Sequence, residues 1–171
     1  MITPALVRTL SDYNQWQNAS IYVAADTLSP EERAKDRGAF WGSVEGTLNH
    51  ILWGDRLWLS RLGGGDLPNA KSMPETVREG GDWEILKRAR QEQDEAIGAW
   101  AGSVEQACLD SSFTYVSAAI GKEFTQNTGL LTVHMFNHQT HHRGQVHAML
   151  TAAGAKPEDT DILFMPGLPS S

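Results

Sequence analysis

Histidines are the residues of this sequence whose types and spacing most clearly point to chemistry. Five of the six histidines lie between positions 134 and 147, in a segment with the apolar period of an α-helix. His138 and His142 are four residues apart, so they share one helix face with about 5–6 Å between their Cβ atoms. Two imidazole nitrogens at that separation can bind one divalent metal ion. The spacing therefore predicts half of a metal site.

The two histidines fall on the helix stripe that we expect to face the core. They are in line with Leu131, Met135 and Met149, where apolar side chains are usual. The alternative interpretation is a pair of hydrogen-bonded core histidines, which requires a buried partner for each ring because an unpaired polar group costs about 1–3 kcal/mol. Spacing alone leaves both interpretations open.

A third ligand has to come from another helix, and His50 is the candidate. It lies at the edge of the core stripe of the second long helix, where a solvated histidine is the alternative. His134 is one turn before His138 and is a candidate fourth ligand, or a hydrogen-bond donor to a ligand. We expect His141 and His147 to face the rim or the solvent.

Four long helices are predicted to position these residues. Their start signals include Thr3-Pro4, Ser43 and Asp82, and the stop signals include the Gly63-Gly64-Gly65 run and Gly154. The predicted bounds are 4–26, 43–62, 82–101 and 128–152. We therefore expect an all-α four-helix bundle that forms one domain over residues 1–171.

Three smaller features accompany the predicted bundle. A short helical turn is expected within 28–38, and β-formers between Ser111 and Gln126, around Ile120-Gly121, predict a small β-hairpin before the last helix. The tail from Thr160 to Ser171 is predicted to lie on the surface as a strap.

Composition and charge exclude several classes of function. The net charge of −7, without a cluster of Lys and Arg, opposes binding to nucleic acid. No apolar run approaches the roughly 20 residues that cross a bilayer, so we expect no membrane partner. Cys108 is the only cysteine, which excludes an intrachain disulfide and favours a cytoplasmic location.

Polar residues in the predicted helices raise further hypotheses. Asp55 falls in the core row of the second helix and needs a partner there; we expect Arg143, next to His142, to pair with it and fix the two helices. Asn14 and Asn49 are candidate hydrogen-bond donors to the ligands, with capping or solvated roles as the alternative.

No general base can be named from the sequence. Glu45 and Glu123 are predicted to be solvated surface charges. Cys108 is predicted to be a small packed residue rather than a nucleophile. Four tryptophans could line a pocket over the metal or belong to the core: Trp16, Trp41, Trp53 and Trp58.

Three motifs resemble those of the DinB/YfiT-like superfamily of bacterial metal-binding four-helix bundles. The motifs are Asp12-Tyr13-Asn14-Gln15-Trp16, then Gly46-Thr47-Leu48-Asn49-His50 with Asp55 and Trp58-Leu59, and the run from His134 to Gln145. The resemblance implies that His50, His138 and His142 bind the metal and that open positions remain for water or substrate. The DNA polymerase that shares this gene name is excluded by the length and acidity of the chain.

The resemblance also implies a class of function. Some relatives use a low-molecular-weight thiol, so we expect a thiol-dependent transferase or isomerase, or a hydrolase, acting on a small molecule. The ion is expected to be zinc or nickel, with iron also compatible with imidazole, and the protein is expected to be a homodimer. The alternative is a non-catalytic binding or structural module in which the metal only joins helices.

Overall fold

Four long helices form most of the computed structural model, which describes residues 2–117 and 121–168. The long helices are α1 (Pro4–Asp26), α3 (Val44–Arg61), α4 (Trp83–Ser103) and α6 (Thr128–Ala152). The shorter elements are helices α2 (Pro30–Ala34) and α5 (Gln106–Asp110), 3₁₀ helices Met73–Arg78 and Ile162–Phe164, and strands β1 (Ser112–Ser117) and β2 (Lys122–Asn127). The predicted bounds of the long helices agree with the observed ones within two residues, and the all-α class with a hairpin before the last helix is confirmed.

Local sequence signals explain where the helices begin. The side-chain oxygens of Thr3, Ser43 and Asn127 accept hydrogen bonds from backbone N–H groups in the first turns of α1, α3 and α6. Asp82 occupies the N-cap position of α4, but its side chain makes no capping bond to the described residues. Gly154 follows α6 with φ of +85°, a conformation that glycine adopts without strain. The caps therefore fix the ends of the helices that carry the histidines.

The bundle is closed by contacts of α3 with α6, α1 with α4 and α6, and α3 with α4. This order places α3 and α6, the two histidine helices, side by side. Two apolar clusters fill the interior at opposite ends, one around Ile21, Leu48, Leu86 and Leu150, the other around Val7, Leu59, Ile97 and Met135. Within the described ranges, no helix has the length and apolar character of a bilayer span.

A layer of buried polar side chains separates the two apolar clusters. This central polar layer comprises Asn14, Asn18, Asp55, Arg90, Asp94, Gln139 and Arg143, and it draws on all four long helices. Its two carboxylates and two guanidinium groups cancel in formal charge. The Arg90 guanidinium donates to Asp55 Oδ2 at 2.5 Å and lies 2.8 Å from Asp94 Oδ1. Asn14 and Asn18 also donate to Asp94.

The predicted pairing of Asp55 with Arg143 is wrong. Asp55 pairs instead with Arg90 of α4, and its other oxygen accepts a hydrogen bond from Gln139 Nε2 at 2.7 Å. The Arg143 guanidinium donates to Asn14 Oδ1 of α1. The reason is that two arginines enter the core, and helix packing brings the α4 arginine to the α3 carboxylate. Gln139, and not the predicted Arg143, therefore links Asp55 to α6.

The hairpin and the tail pack on the outside of the bundle. Strands β1 and β2 are antiparallel, and Phe113 and Tyr115 pack against the apolar cluster around Leu59. The predicted turn includes Ala118 to Ile120, which lie outside the described residues, as do Met1 and residues 169–171. The tail contacts α1, where the Tyr13 hydroxyl donates to the Thr160 carbonyl at 2.7 Å, so its described part lies on the surface as predicted.

Removing Arg90 should destabilise the protein strongly. Arg90→Met would leave Asp55 and Asp94 as buried carboxylates without their cation, and the loss of one partner of a buried ion pair typically costs about 3–5 kcal/mol. Urea unfolding followed by tryptophan fluorescence measures the loss. Lys87→Met on the same helix is the matched control, because Lys87 forms its ion pairs at the surface and should change stability little. Equal stability of the two variants would contradict the assigned role of the layer.

Candidate metal centre

The structure brings His50 of α3 together with His138 and His142 of α6. One ring nitrogen from each lies within 4.8 Å of the others, and the Nε2 atoms of His50 and His138 are 3.2 Å apart. The ring centroids of His138 and His142 are separated by 4.5 Å. His50 is buried, with 2% of its surface exposed, so the alternative of a solvated His50 is wrong.

Thr76 fixes the protonation of the His50 ring. Its hydroxyl donates to the Met73 carbonyl at 2.8 Å, so it accepts from His50 Nδ1–H at 3.0 Å. A neutral imidazole with a proton on Nδ1 has its lone pair on Nε2, the atom that faces His138. Thr76 lies in the 3₁₀ helix Met73–Arg78, which is not among the predicted elements. Ser72 before Pro74 is a start signal that could have revealed this helix, although not its contact with His50.

Gln145 orients the His142 ring in the same way. The His142 Nδ1–H donates to the Gln145 side-chain oxygen at 2.9 Å, while the Gln145 amide group donates to His141 Nε2 at 3.3 Å. The lone pair of His142 is therefore on Nε2 as well. Two of the three rings thus present Nε2 lone pairs as ligand atoms, each fixed by a polar partner on the opposite side of the ring.

Gly54 provides the space that the His138 ring occupies. A Cβ atom built on Gly54 would lie 2.7 Å from His138 Cε1, closer than nonbonded atoms approach, and 3.0 Å from His138 Nδ1. Gly54 follows His50 by one helical turn, so the same face of α3 carries one ligand and admits another. A glycine inside a helix is unfavourable by about 1 kcal/mol relative to alanine, and this close approach explains its presence.

Aromatic rings cover His50. The Trp41 ring stacks on it with centroids 3.9 Å apart, and the Trp53 ring lies 5.4 Å away. Two of the four tryptophans considered in the sequence therefore lie at the histidine cluster. Trp58 instead contacts His134, and Trp16 packs on Tyr13.

The histidines of the cluster are held in their neutral form. Burial, reinforced by the neighbouring histidines, lowers the pKa of His50 to about 3 and the pKa of His138 to about 3. Burial also lowers the pKa of His142. Neutral imidazole is the form that binds metal ions, so no proton has to be removed from these rings at neutral pH.

The donor set fits a divalent ion. Two nitrogens bound to one tetrahedral zinc at about 2.0–2.1 Å are roughly 3.3 Å apart, close to the observed 3.2 Å between the Nε2 atoms of His50 and His138. Within the described residues, the cluster of ligand atoms consists of these three histidines. His134 is not part of it, because its ring packs on Trp58 at 4.8 Å between centroids and is exposed.

Other residues considered in the sequence lie away from the cluster. Asn14 belongs to the central polar layer, and Asn49 bonds the Glu45 carbonyl and the Gly80 N–H instead of a ligand. The Glu45 carboxylate lies 3.9 Å from the Arg33 guanidinium. Glu123 and Cys108 are exposed, in β2 and α5, so the expectation that Cys108 is packed is wrong. Within the described chain, none of these residues belongs to the cluster of ligand atoms.

Comparison with known proteins gives one family. The sequence model of the DinB family matches residues 1–168. The protein DinB of Bacillus subtilis (strain 168) is 26% identical over 162 residues, which cover 91% of this chain and 92% of that protein. No solved structure gives a significant match. The resemblance first seen in three motifs is thereby confirmed over the whole chain.

Thr76→Val should weaken metal binding while the protein stays folded. Valine has the shape of threonine but cannot accept the His50 Nδ1–H bond, and losing such a partner typically reduces metal affinity roughly 10- to 100-fold. Thr76→Ser keeps the hydroxyl and should bind nearly as tightly as the wild type. Competition for zinc against a chromophoric chelator measures both affinities. Equal affinity of the valine and serine variants would show that Thr76 does not orient His50.

Gly54→Ala should disrupt the cluster without destabilising the helix. The added methyl group would displace the His138 ring and should reduce zinc affinity by at least about tenfold. Gly144→Ala on α6 is the control, because a Cβ at Gly144 meets no atom of the described chain within 4 Å. If the two alanine variants bind zinc equally well in the same competition assay, the close approach has no importance for the ligands.

Proposed function

Because this chain belongs to the DinB family and brings three histidines together, we propose that it binds one divalent metal ion through them and acts as a metal-dependent enzyme. The observation that carries the proposal is the convergence of His50, His138 and His142, with the Nε2 atoms of His50 and His138 3.2 Å apart. Thr76 and Gln145 hold two of these rings in the required orientation. Imidazole ligands suit zinc and nickel, and also iron.

The number of ligands favours catalysis over a purely structural role. A structural zinc site is usually closed by four protein ligands, whereas a catalytic site leaves a position open. His134 was the candidate for closing the site, and its ring packs on Trp58 instead. With three ligands in the described chain, exogenous water or substrate has to complete the coordination. The non-catalytic module remains the alternative.

We favour a thiol-dependent transferase or isomerase among the possible enzymes. A divalent ion in this site would hold a thiol as its thiolate or acidify a bound water molecule. A hydrolytic reaction usually also needs a general base, and among the described residues no carboxylate joins the cluster of three histidines. The buried Glu79 carboxylate bonds Arg56 and the N–H groups of Asn69 and Ala70. A thiol bound to the ion would lose its proton to solvent and would attack as a thiolate without a base, whereas attack by water usually relies on a base as well. Hydrolysis is therefore the second candidate.

The residues around the histidines have definable roles in this proposal. Thr76 and Gln145 keep Nε2 of their histidines free of protons, and Gly54 gives the His138 ring its space. Trp41 covers His50 and limits the access of water on that side. The substrate is expected to be a small molecule; the homodimer and the cytoplasmic location stay predictions.

Metal content is the first test of the proposed function. Protein purified without an affinity tag should contain about one equivalent of a divalent metal by mass spectrometry, as expected for a single three-histidine site. His50→Ala and His142→Ala should lose most of it, because two ligands bind far more weakly than three. His147→Ala on the same helix lies outside the cluster and should retain it. The proposal fails if the wild type takes up no zinc, nickel or iron.

A further inference from the structure

Arg61, near the end of α3, is a half-buried cation. No carboxylate of the described chain forms an ion pair with it. Among the other arginines that are at least partly buried, Arg143 bonds the Asn14 side chain, and four have an acidic partner: Arg33, Arg37, Arg56 and Arg90. Its nearest polar contact is the Val116 carbonyl, 3.4 Å from Nη2. A guanidinium withdrawn from water in this way favours an anion in its vicinity.

Two aromatic rings hold the guanidinium in place. The Arg61 Cζ atom lies 4.8 Å from the centroid of the Trp58 ring and 4.6 Å from that of the Tyr115 ring. Trp58 and Tyr115 meet edge to face, so they form a corner against which the cation rests. Contact with aromatic faces leaves the in-plane N–H groups of a guanidinium available for a planar acceptor such as a carboxylate.

A cavity lies beside this corner. It has a volume of about 280 Å³ and is lined by Trp58, Tyr115, Leu130, Leu131 and His134. Its walls are therefore mostly apolar and aromatic, with one imidazole at the edge. The His134 imidazole carries an N–H group that can donate a hydrogen bond into the cavity.

The cavity and the three histidines lie along the same interface, or seam, where α3 packs against α6. On α3, His50, Gly54 and Trp58 follow one another at intervals of one turn, and Arg61 comes next on the same face. On α6, the His134 ring is 6.2 Å from the His138 ring between centroids. Arg61 lies eleven positions after His50, which corresponds to about 16 Å along the helix axis.

We propose that Arg61 and this cavity form a subsite for the carboxylate end of an elongated small molecule whose other end reaches the three histidines. The inference rests on the proposed function, because it assigns one end of the substrate or thiol to the metal site. A single guanidinium beside one imidazole N–H donor matches one carboxylate. A phosphate dianion would need a second cation, and the described residues place none in this cavity.

The competing explanation is that Arg61 only fastens the hairpin to α3. That role depends on its contacts with Trp58 and Tyr115, which a glutamine would weaken, and it involves no ligand. The two explanations differ in whether a carboxylate on a bound molecule matters, and a pair of matched probes can separate them.

The test uses the cobalt-loaded protein and two thiols of equal chain length, 11-mercaptoundecanoate and 11-mercapto-1-undecanol. Binding of the thiolate is followed by its charge-transfer absorption with cobalt, which reports affinity without any enzymatic assay. The carboxylate probe should bind about tenfold more tightly than the alcohol, as expected for one charge-assisted hydrogen-bonded contact. The short probe 3-mercaptopropionate cannot reach from the metal site to Arg61, so its affinity should not depend on Arg61.

Variants complete the experiment. Arg61→Gln should abolish the difference between the two long probes, and Arg61→Lys, which keeps the charge, should restore part of it. Arg88→Gln, at an exposed arginine of α4, is the control and should leave the difference unchanged. Equal affinities in the wild type, or a difference that persists in Arg61→Gln, would overturn the subsite and leave the proposed function standing. Absence of a charge-transfer band with every thiol would overturn both.

Discussion

The central polar layer is the constraint on which the rest of the structure depends. In the two apolar clusters, one apolar side chain can take the place of another. Burial alone would therefore tolerate a helix shifted by one turn along its axis. Buried charges do not tolerate such a shift, because a displaced Asp55 or Asp94 would lose Arg90. The layer therefore fixes the positions of the four long helices relative to one another along the bundle axis.

The same layer determines where the histidines meet. Gln139 follows His138 directly and Arg143 follows His142, while Asp55 follows Gly54. Each of these layer residues points into the bundle. The residue just before it in the sequence lies where α3 and α6 meet. Since Gln139 bonds Asp55 across the two helices, the ligands beside them are held opposite each other. The charges of the central polar layer also balance one another, so the layer contributes no net negative charge near the neutral histidines. A metal ion bound there would therefore still attract an anionic ligand.

The sequence predicts local structure well and long-range pairing poorly. Apolar periodicity and caps gave helix bounds within two residues, because both signals are contained in one segment. His138 and His142 could be recognised for the same reason, and the assignment of His50 depended on the family resemblance. The partner of Asp55 could not be predicted, because two arginines were available. The apolar periodicity of each helix does not show which helices are neighbours in the bundle. The contact of Thr76 with His50 was missed because a contact between a 3₁₀ helix and α3 leaves no repeating pattern in the sequence.

The order in which the cluster can assemble follows from where its parts lie in the chain. His138 and His142 become a chelating pair as soon as α6 forms, since they are four residues apart. The bond between Thr76 and His50 joins residues 26 positions apart, and the contact between His50 and His138 joins residues 88 apart. Contacts of long sequence separation form late because loop closure has to precede them. An ion captured by the α6 pair during folding would thus arrive before its third ligand, and docking of α3 and the loop after it would complete the coordination.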